Sequence, residues 1–134
     1  GGGAAYERMR RELTPEDGIV LTGCVERDAV AAYFRLLDVG LIPFEVNELT
    51  DRACPIKALE YTSCSIPVVS TPLRELSRLK LANVFFLPFD SEAWAAQVCA
   101  LLTRYRFDQP LEDLTRFHWQ TLAREVEALW QKIR

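Results

Sequence analysis

Two short apolar runs near the middle of the chain bracket one helical segment, and this arrangement constrains the fold most strongly. The first run lies within residues 36–44, a helix is predicted over residues 55–61, and the second run occupies residues 67–72. Apolar runs separated by a helix are typical of parallel strands, because parallel neighbours need a long crossover connection. The segment therefore predicts a β-α-β unit.

The same alternation extends across the first hundred or so residues. Four apolar runs are continuous rather than alternating, which is typical of strands covered on both faces. The predicted strands are residues 19–21, 39–42, 68–69 and 84–87. Apolar residues at helical spacing predict one helix through Val30, Phe34 and Leu37, and another around Trp94 with Asp90 or Ser91 as its N-cap. We therefore expect a parallel α/β sheet with crossover helices.

The end of the chain has a different pattern. Residues 107–110 form a predicted break, and one apolar stripe at helical spacing follows it. Its members are Trp119, Leu122, Val126, Leu129, Trp130 and Ile133. The stripe predicts one long amphipathic C-terminal helix, whose tryptophans lie in a core or an interface rather than forming a platform for a ligand.

Length and composition exclude several classes of function. A chain of 134 residues predicts a single domain. Its net charge of −3 argues against nucleic acid as a partner, and no apolar run is long enough for a transmembrane helix. The cysteines form no C-x-x-C pair, which predicts no metal site and reduced, mostly buried thiols in a cytosolic protein. They are Cys24, Cys54, Cys64 and Cys99.

Three loops follow predicted strands, where ligands bind in open parallel sheets. They are residues 22–27, 43–54 and 70–73, and the middle one is the longest and most polar. It leads directly into the helix that opens with Pro55, a residue favoured at the first helical position. The amides that follow, at Ile56, Lys57 and Ala58, form a potential anion site.

Lys57 allows two interpretations. Its ammonium could add a mobile positive charge for a bound diphosphate. Alternatively, Lys57 and Glu60 are three residues apart on one helical face, and could form a solvated ion pair with no ligand role. Spacing alone favours the ion pair.

The motif Pro-x-Lys-x-x-Glu-Tyr at residues 55–61, followed by Pro-Val-Val-Ser-Thr at residues 67–71, resembles the donor-binding half of GT-B-fold glycosyltransferases of the group 1 type. The resemblance covers nearly the whole chain. It implies a Rossmann-like domain, residues 1–134, which is one half of a GT-B fold. It also implies that a nucleotide-diphosphate sugar is the co-substrate, with no other cofactor and no metal, and that the sugar passes to a glycan, a lipid or another acceptor.

The resemblance also implies roles for particular residues. Glu60 would accept hydrogen bonds from the ribose hydroxyls of the donor. Catalytic residues are not assigned. The other residues implied at the donor nucleotide are Pro55, Ile56, Lys57, Gly23 and Cys24, and those implied at the donor sugar are Asn47, Thr50 and Arg52.

The chain departs from the family pattern at two places. Arg52 stands where many members carry a glutamate that contacts the transferred sugar. Ser65 and Ile66 stand where members usually carry Gly-Lys after the helix. Glycine there permits a left-handed C-cap, so Ser65 must either adopt that conformation at a cost of about 1 kcal/mol or the helix must end differently.

Gly1 is not a natural start, so either residues 1–3 are an added sequence or the chain is a fragment. The resemblance favours a fragment that lacks an N-terminal acceptor domain, and we expect that it transfers no sugar alone. A cytoplasmic location is expected, with any contact at the inner face of the membrane made by the missing half. The first alternative is a non-catalytic nucleotide-binding or interaction domain on the same fold. The second is another enzyme, such as a nucleotide-sugar epimerase.

Overall fold

A computed structural model describes residues 3–104 and 114–133 of the chain. Backbone contacts divide the chain into two compact units, residues 1–36 and residues 37–134. None of the helices in the described ranges is long and apolar enough to cross a membrane.

The first unit is helical in its described part. Helix α1 spans Ala4–Glu12, a 3-10 turn spans Pro15–Asp17, and helix α2 spans Arg27–Phe34. The strand predicted at residues 19–21 is wrong, because this segment forms no strand in the structure. Residues 3–36 contain no strand at all, and a strand needs a neighbouring strand to pair with its amides and carbonyls.

The second unit contains a three-stranded parallel sheet in the order β1-β2-β3. Its strands are β1, Gly40–Ile42, β2, Val68–Ser70, and β3, Val84–Phe86. The register aligns Gly40 with Val68 and Val68 with Val84. Three of the four predicted strands are therefore confirmed, and the parallel α/β class is confirmed with them.

Helices connect and cover the strands of the second unit. Between β1 and β2 lie α3, Glu48–Asp51, and α4, Ile56–Ser63; α5, Arg74–Arg78, lies between β2 and β3. Helix α6, Ser91–Arg104, follows β3. Asp90 is its N-cap, as predicted, because its Oδ1 accepts the Ala93 N–H at 2.8 Å. A 3-10 turn, Leu114–Phe117, precedes the last helix, α7, Trp119–Ile133.

The central strand is buried on both faces, as its continuous apolar sequence predicts. Val68 joins a cluster with residues of α4 and α5, whereas Val69 joins Trp94 and Leu101 of α6. Successive side chains of a strand point to opposite faces, so the two valines anchor the two layers of helices. Strand β1 differs, because its Leu41 is half exposed.

A buried polar side chain joins α4 to the strand layer. Asn83 is fully buried, and its Nδ2 donates to the carbonyl of Ile66 at 2.7 Å. Its Oδ1 accepts the Thr62 hydroxyl at 3.0 Å. Both the nitrogen and the oxygen of the Asn83 amide are hydrogen-bonded, so burying the side chain costs little free energy. The bond to Thr62 also holds the end of α4 against the residue that directly precedes β3.

Helix α4 ends in a Schellman motif built on a serine. Ser65 has a φ of 59°, in the left-handed region. The Ile66 N–H donates to the Tyr61 carbonyl and the Ser65 N–H donates to the Thr62 carbonyl, both at 3.0 Å. The left-handed conformation expected for Ser65 is therefore confirmed.

We expect Ser65→Gly to stabilise the protein by about 0.5–1 kcal/mol, because glycine removes the Cβ strain but adds freedom to the unfolded chain. Thermal unfolding would measure this as a rise of a few degrees. The matched control is Ser63→Gly, two residues earlier inside α4, which should destabilise the protein because the position is helical. A lower melting temperature for Ser65→Gly would contradict the strain argument.

The apolar stripe of α7 lies outside the core. The helix forms as predicted, but none of its described side chains is buried, and Trp119 is 85% exposed. The core alternative for the two tryptophans is therefore wrong, and the interface alternative stays a prediction. The predicted break at residues 107–110 lies outside the described residues.

The cysteines are free, as expected, but not mostly buried. Cys24, Cys54 and Cys99 are exposed, and only Cys64 is partly covered. The expectation of buried thiols is wrong for these three, because two of them lie in loops and Cys99 lies on the outer side of α6.

Candidate functional site

The loop after β1 lies at the carboxyl edge of the sheet and is tied to the segment that follows β2. The Thr71 hydroxyl donates to the carbonyl of Phe44 at 2.8 Å, and Thr71 is itself buried. Helix α5 begins only after this segment, at Arg74. Thr71 thus fastens the loop after β1 to the segment after β2.

A capping box organises the middle of the loop. Asn47 Oδ1 accepts the N–H groups of Leu49 and Thr50, both at 3.0 Å. In return, the Asn47 N–H donates to the Thr50 hydroxyl oxygen at 3.0 Å. Both predicted sugar-binding side chains therefore order the loop, while the amide nitrogen of exposed Asn47 takes no part in these bonds.

Arg52, the third residue predicted at the donor sugar, forms an ion pair within its own segment. Its Nη2 lies 2.8 Å from Glu48 Oε1, and both side chains are largely exposed. Exposed i,i+4 pairs are weak, at about 0.3–0.5 kcal/mol. The arginine is therefore held loosely at the surface of α3.

Helix α4 starts one residue later than predicted. Pro55 is the N-cap, with a φ of −64°, and the helix begins at Ile56. The Ala58 N–H donates to the Pro55 carbonyl at 3.0 Å, so this amide is not part of an open anion site. Pro55 lies just outside the helix because its ψ of 112° is extended. Its carbonyl nevertheless occupies the first helical acceptor position.

Lys57 and Glu60 share one face of α4, as their spacing predicts. Lys57 Nζ lies 2.7 Å from Glu60 Oε2, and the side chains are 51% and 34% exposed. Oε2 itself is shielded from solvent, and the ammonium of Lys57 is the charged group beside it. The ion pair that this spacing predicts is therefore confirmed. Whether Lys57 also has a ligand role stays a prediction, which the weakness of such pairs permits.

Tyr61 follows Glu60, and its ring packs against Gly40, the first residue of β1. A Cβ at Gly40 would lie 2.6 Å from the Tyr61 Cδ2 atom, so the ring occupies the space of a side chain at Gly40. Burial raises the pKa of the Tyr61 hydroxyl; the positive charge of Lys57 opposes this rise and the negative charge of Glu60 adds to it. Because the ring packs closely against Gly40 of β1, it holds in place the face of α4 that carries the Lys57–Glu60 pair.

Gly23 and Cys24, predicted at the nucleotide, belong to the first unit. Gly23 has a φ of 68°, which favours glycine, and a Cβ there would lie 3.3 Å from the Tyr6 hydroxyl. Cys24 is exposed. Their contact with a nucleotide stays a prediction.

No group of three or more potential metal ligands occurs among the described histidine, cysteine, aspartate and glutamate residues. No sequence pattern predicts that the Asp51 carboxylate contacts Arg74, whose main-chain N–H donates to Asp51 Oδ1 at 2.9 Å. The two residues are 23 positions apart, and no local pattern signals that they meet.

Residues 1–104 match the family model described as Glycosyl transferases group 1, and the chain therefore belongs to that family. It is also 27% identical, over 122 residues, to TuaH of Bacillus subtilis (strain 168), whose name gives it a provisional role as a teichuronic acid biosynthesis glycosyltransferase. The match covers 87% of this chain but only 31% of that relative's length. No solved structure matches the chain significantly.

Proposed function

We propose that this chain is the donor-binding domain of a glycosyltransferase with a GT-B fold. It would hold a nucleotide-diphosphate sugar while another domain of the same enzyme brings a glycan, lipid or other acceptor. The family match supports the transferase class. The observation that carries the donor role is the Lys57–Glu60 pair, on one face of a helix that begins after the carboxyl end of β1.

Glu60 would bind the ribose of the donor. A carboxylate can accept from both hydroxyls of a diol at once, and these charge-assisted bonds are stronger than neutral ones. In the structure Glu60 contacts Lys57. A helical i,i+3 pair contributes only about 0.2–0.5 kcal/mol, so exchanging it for a ribose diol costs little.

Lys57, once released from Glu60, would turn its ammonium toward the diphosphate. Pro55 and Ile56 belong to the same end of α4, where the positive end of the helix dipole favours an anion. These groups would also stabilise the negative charge that develops on the departing diphosphate. Their part in catalysis is therefore electrostatic, together with positioning of the donor.

The loop of Asn47, Thr50 and Arg52 would border the sugar. Asn47 contributes an amide nitrogen outside the capping box, and Arg52 is held only by a weak exposed pair. The name of the Bacillus relative places that protein in teichuronic acid biosynthesis. By extension, we propose that the enzyme containing this chain acts in polysaccharide synthesis.

Titration of the chain with nucleoside diphosphates tests this function. We expect one of UDP, GDP or ADP to raise the melting temperature selectively, because ligand that binds only the folded state stabilises it in proportion to log concentration. Calorimetric titration should then give a stoichiometry of one nucleoside diphosphate per chain. Absence of any shift, with saturating ligand and a folded chain, would contradict the donor role.

Turnover distinguishes the enzyme from the non-catalytic alternative only in a longer chain. The isolated domain is expected to bind the donor without transferring its sugar to an acceptor, so it should release no nucleoside diphosphate. Sugar transfer by this chain alone, detected as release of nucleoside diphosphate, would show that no second domain is needed.

A further inference from the structure

Asp51, the last residue of α3, contacts the first residue of α5 through both carboxylate oxygens. Oδ1 accepts the main-chain N–H of Arg74 at 2.9 Å, and Oδ2 lies 2.6 Å from Arg74 Nη2. The Asp51 side chain is only 18% exposed. A carboxylate that receives one N–H at a helix start and pairs with a guanidinium makes stronger contacts than an ordinary surface pair.

These contacts join the loop to a second place beyond β2. Thr71 already holds Phe44 near the start of the loop, and Asp51 holds its far part through Arg74. Partial burial, followed by the negative charge of Glu75 in the first turn of α5, raises the pKa of the Cys54 thiol, which directly precedes Pro55. The loop is thus fastened at two points to the segment that follows the central strand.

We propose that Asp51 is a positioning residue for the sugar part of the donor, an inference that rests on the proposed function. By holding the loop against the start of α5, it keeps the capping box of Asn47 and Thr50 at the carboxyl edge of the sheet. The nucleotide part of the donor depends on α4, which is anchored separately by Tyr61 and Thr62. Loss of the Asp51 carboxylate should therefore weaken binding of the sugar part of the donor more than binding of the nucleotide part.

The test compares affinities for a nucleotide sugar and for its nucleoside diphosphate. The probes are UDP with UDP-glucose, GDP with GDP-mannose, and ADP with ADP-glucose, measured by calorimetry on the whole chain. We expect Asp51→Ala to weaken binding of the sugar conjugate about tenfold and that of the nucleoside diphosphate less than about threefold, because the loop that Asp51 holds borders the sugar and not the nucleotide. Asp51→Asn keeps the Oδ1 acceptor and should give an intermediate loss.

Glu75→Gln is the matched control, because it removes a carboxylate whose partner, Arg78, lies on the same helix. It should leave both affinities near wild type. Amide hydrogen exchange gives a readout without ligand: the Arg74 amide should exchange faster in Asp51→Ala and not in Glu75→Gln.

The failures of the two proposals are distinguishable. If the wild-type chain binds none of the probes, the proposed function fails and the positioning role fails with it. If the wild-type chain binds but Asp51→Ala behaves like Glu75→Gln, or loses both affinities equally, only the positioning role is overturned. Should Asp51→Ala not fold, Asp51→Asn carries the same comparison.

Discussion

Glu60→Ala is expected to abolish most of the stabilisation that the preferred nucleoside diphosphate gives to the wild-type chain. Two charge-assisted bonds to a ribose diol are together worth about 2–4 kcal/mol, which corresponds to a roughly 30- to 700-fold loss of affinity. Calorimetric titration of the wild type and the variant measures this directly. Unchanged affinity would contradict the assignment of the ribose to Glu60.

Two further variants separate binding from folding. Without ligand, Glu60→Ala should melt near the wild-type temperature, because a helical i,i+3 pair such as that of Glu60 with Lys57 contributes only about 0.2–0.5 kcal/mol. Lys57→Ala should lower nucleotide affinity less than Glu60→Ala does, and its effect should shrink as salt rises, since an ammonium near a diphosphate acts through screened charge. Equal, salt-independent losses in both variants would indicate a general disturbance of α4.

Gly40→Ala is expected to destabilise the protein by about 3 kcal/mol, which lowers the melting temperature by roughly 10 °C for a chain of this size. The added Cβ would lie 2.6–2.8 Å from three atoms at the root and side of the Tyr61 ring. These atoms cannot swing away as the tip of a flexible side chain can. Thermal or denaturant unfolding measures the loss, and an unchanged melting temperature would contradict it.

A double-mutant cycle identifies the clash as the cause. Tyr61→Ala removes the ring, so adding Ala at position 40 to that variant should cost much less than adding it to the wild type. Additive effects of the two substitutions would place the cost elsewhere in β1. Because Tyr61 directly follows Glu60, Gly40→Ala should also weaken nucleotide binding.

The elements that could be predicted are those determined by local pattern. Continuous apolar runs predict β2 and β3, Asp90 predicts the start of α6, and the stripe from Trp119 predicts α7. The strand predicted at residues 19–21 failed, because a strand needs a partner and apolar sequence alone does not supply one. The predicted ion pair of Lys57 with Glu60 is confirmed, because helical spacing by itself brings the two side chains together.

The sequence by itself determined the α/β class, the family and the face of α4 that carries the candidate donor-binding residues. Only the tertiary structure decided how that face is held. The Tyr61 ring over Gly40, and Asp51 on the first amide of α5, join residues that are 21 and 23 positions apart. Such contacts depend on how helices and loops pack at the edge of the sheet, and no periodicity along the chain records them.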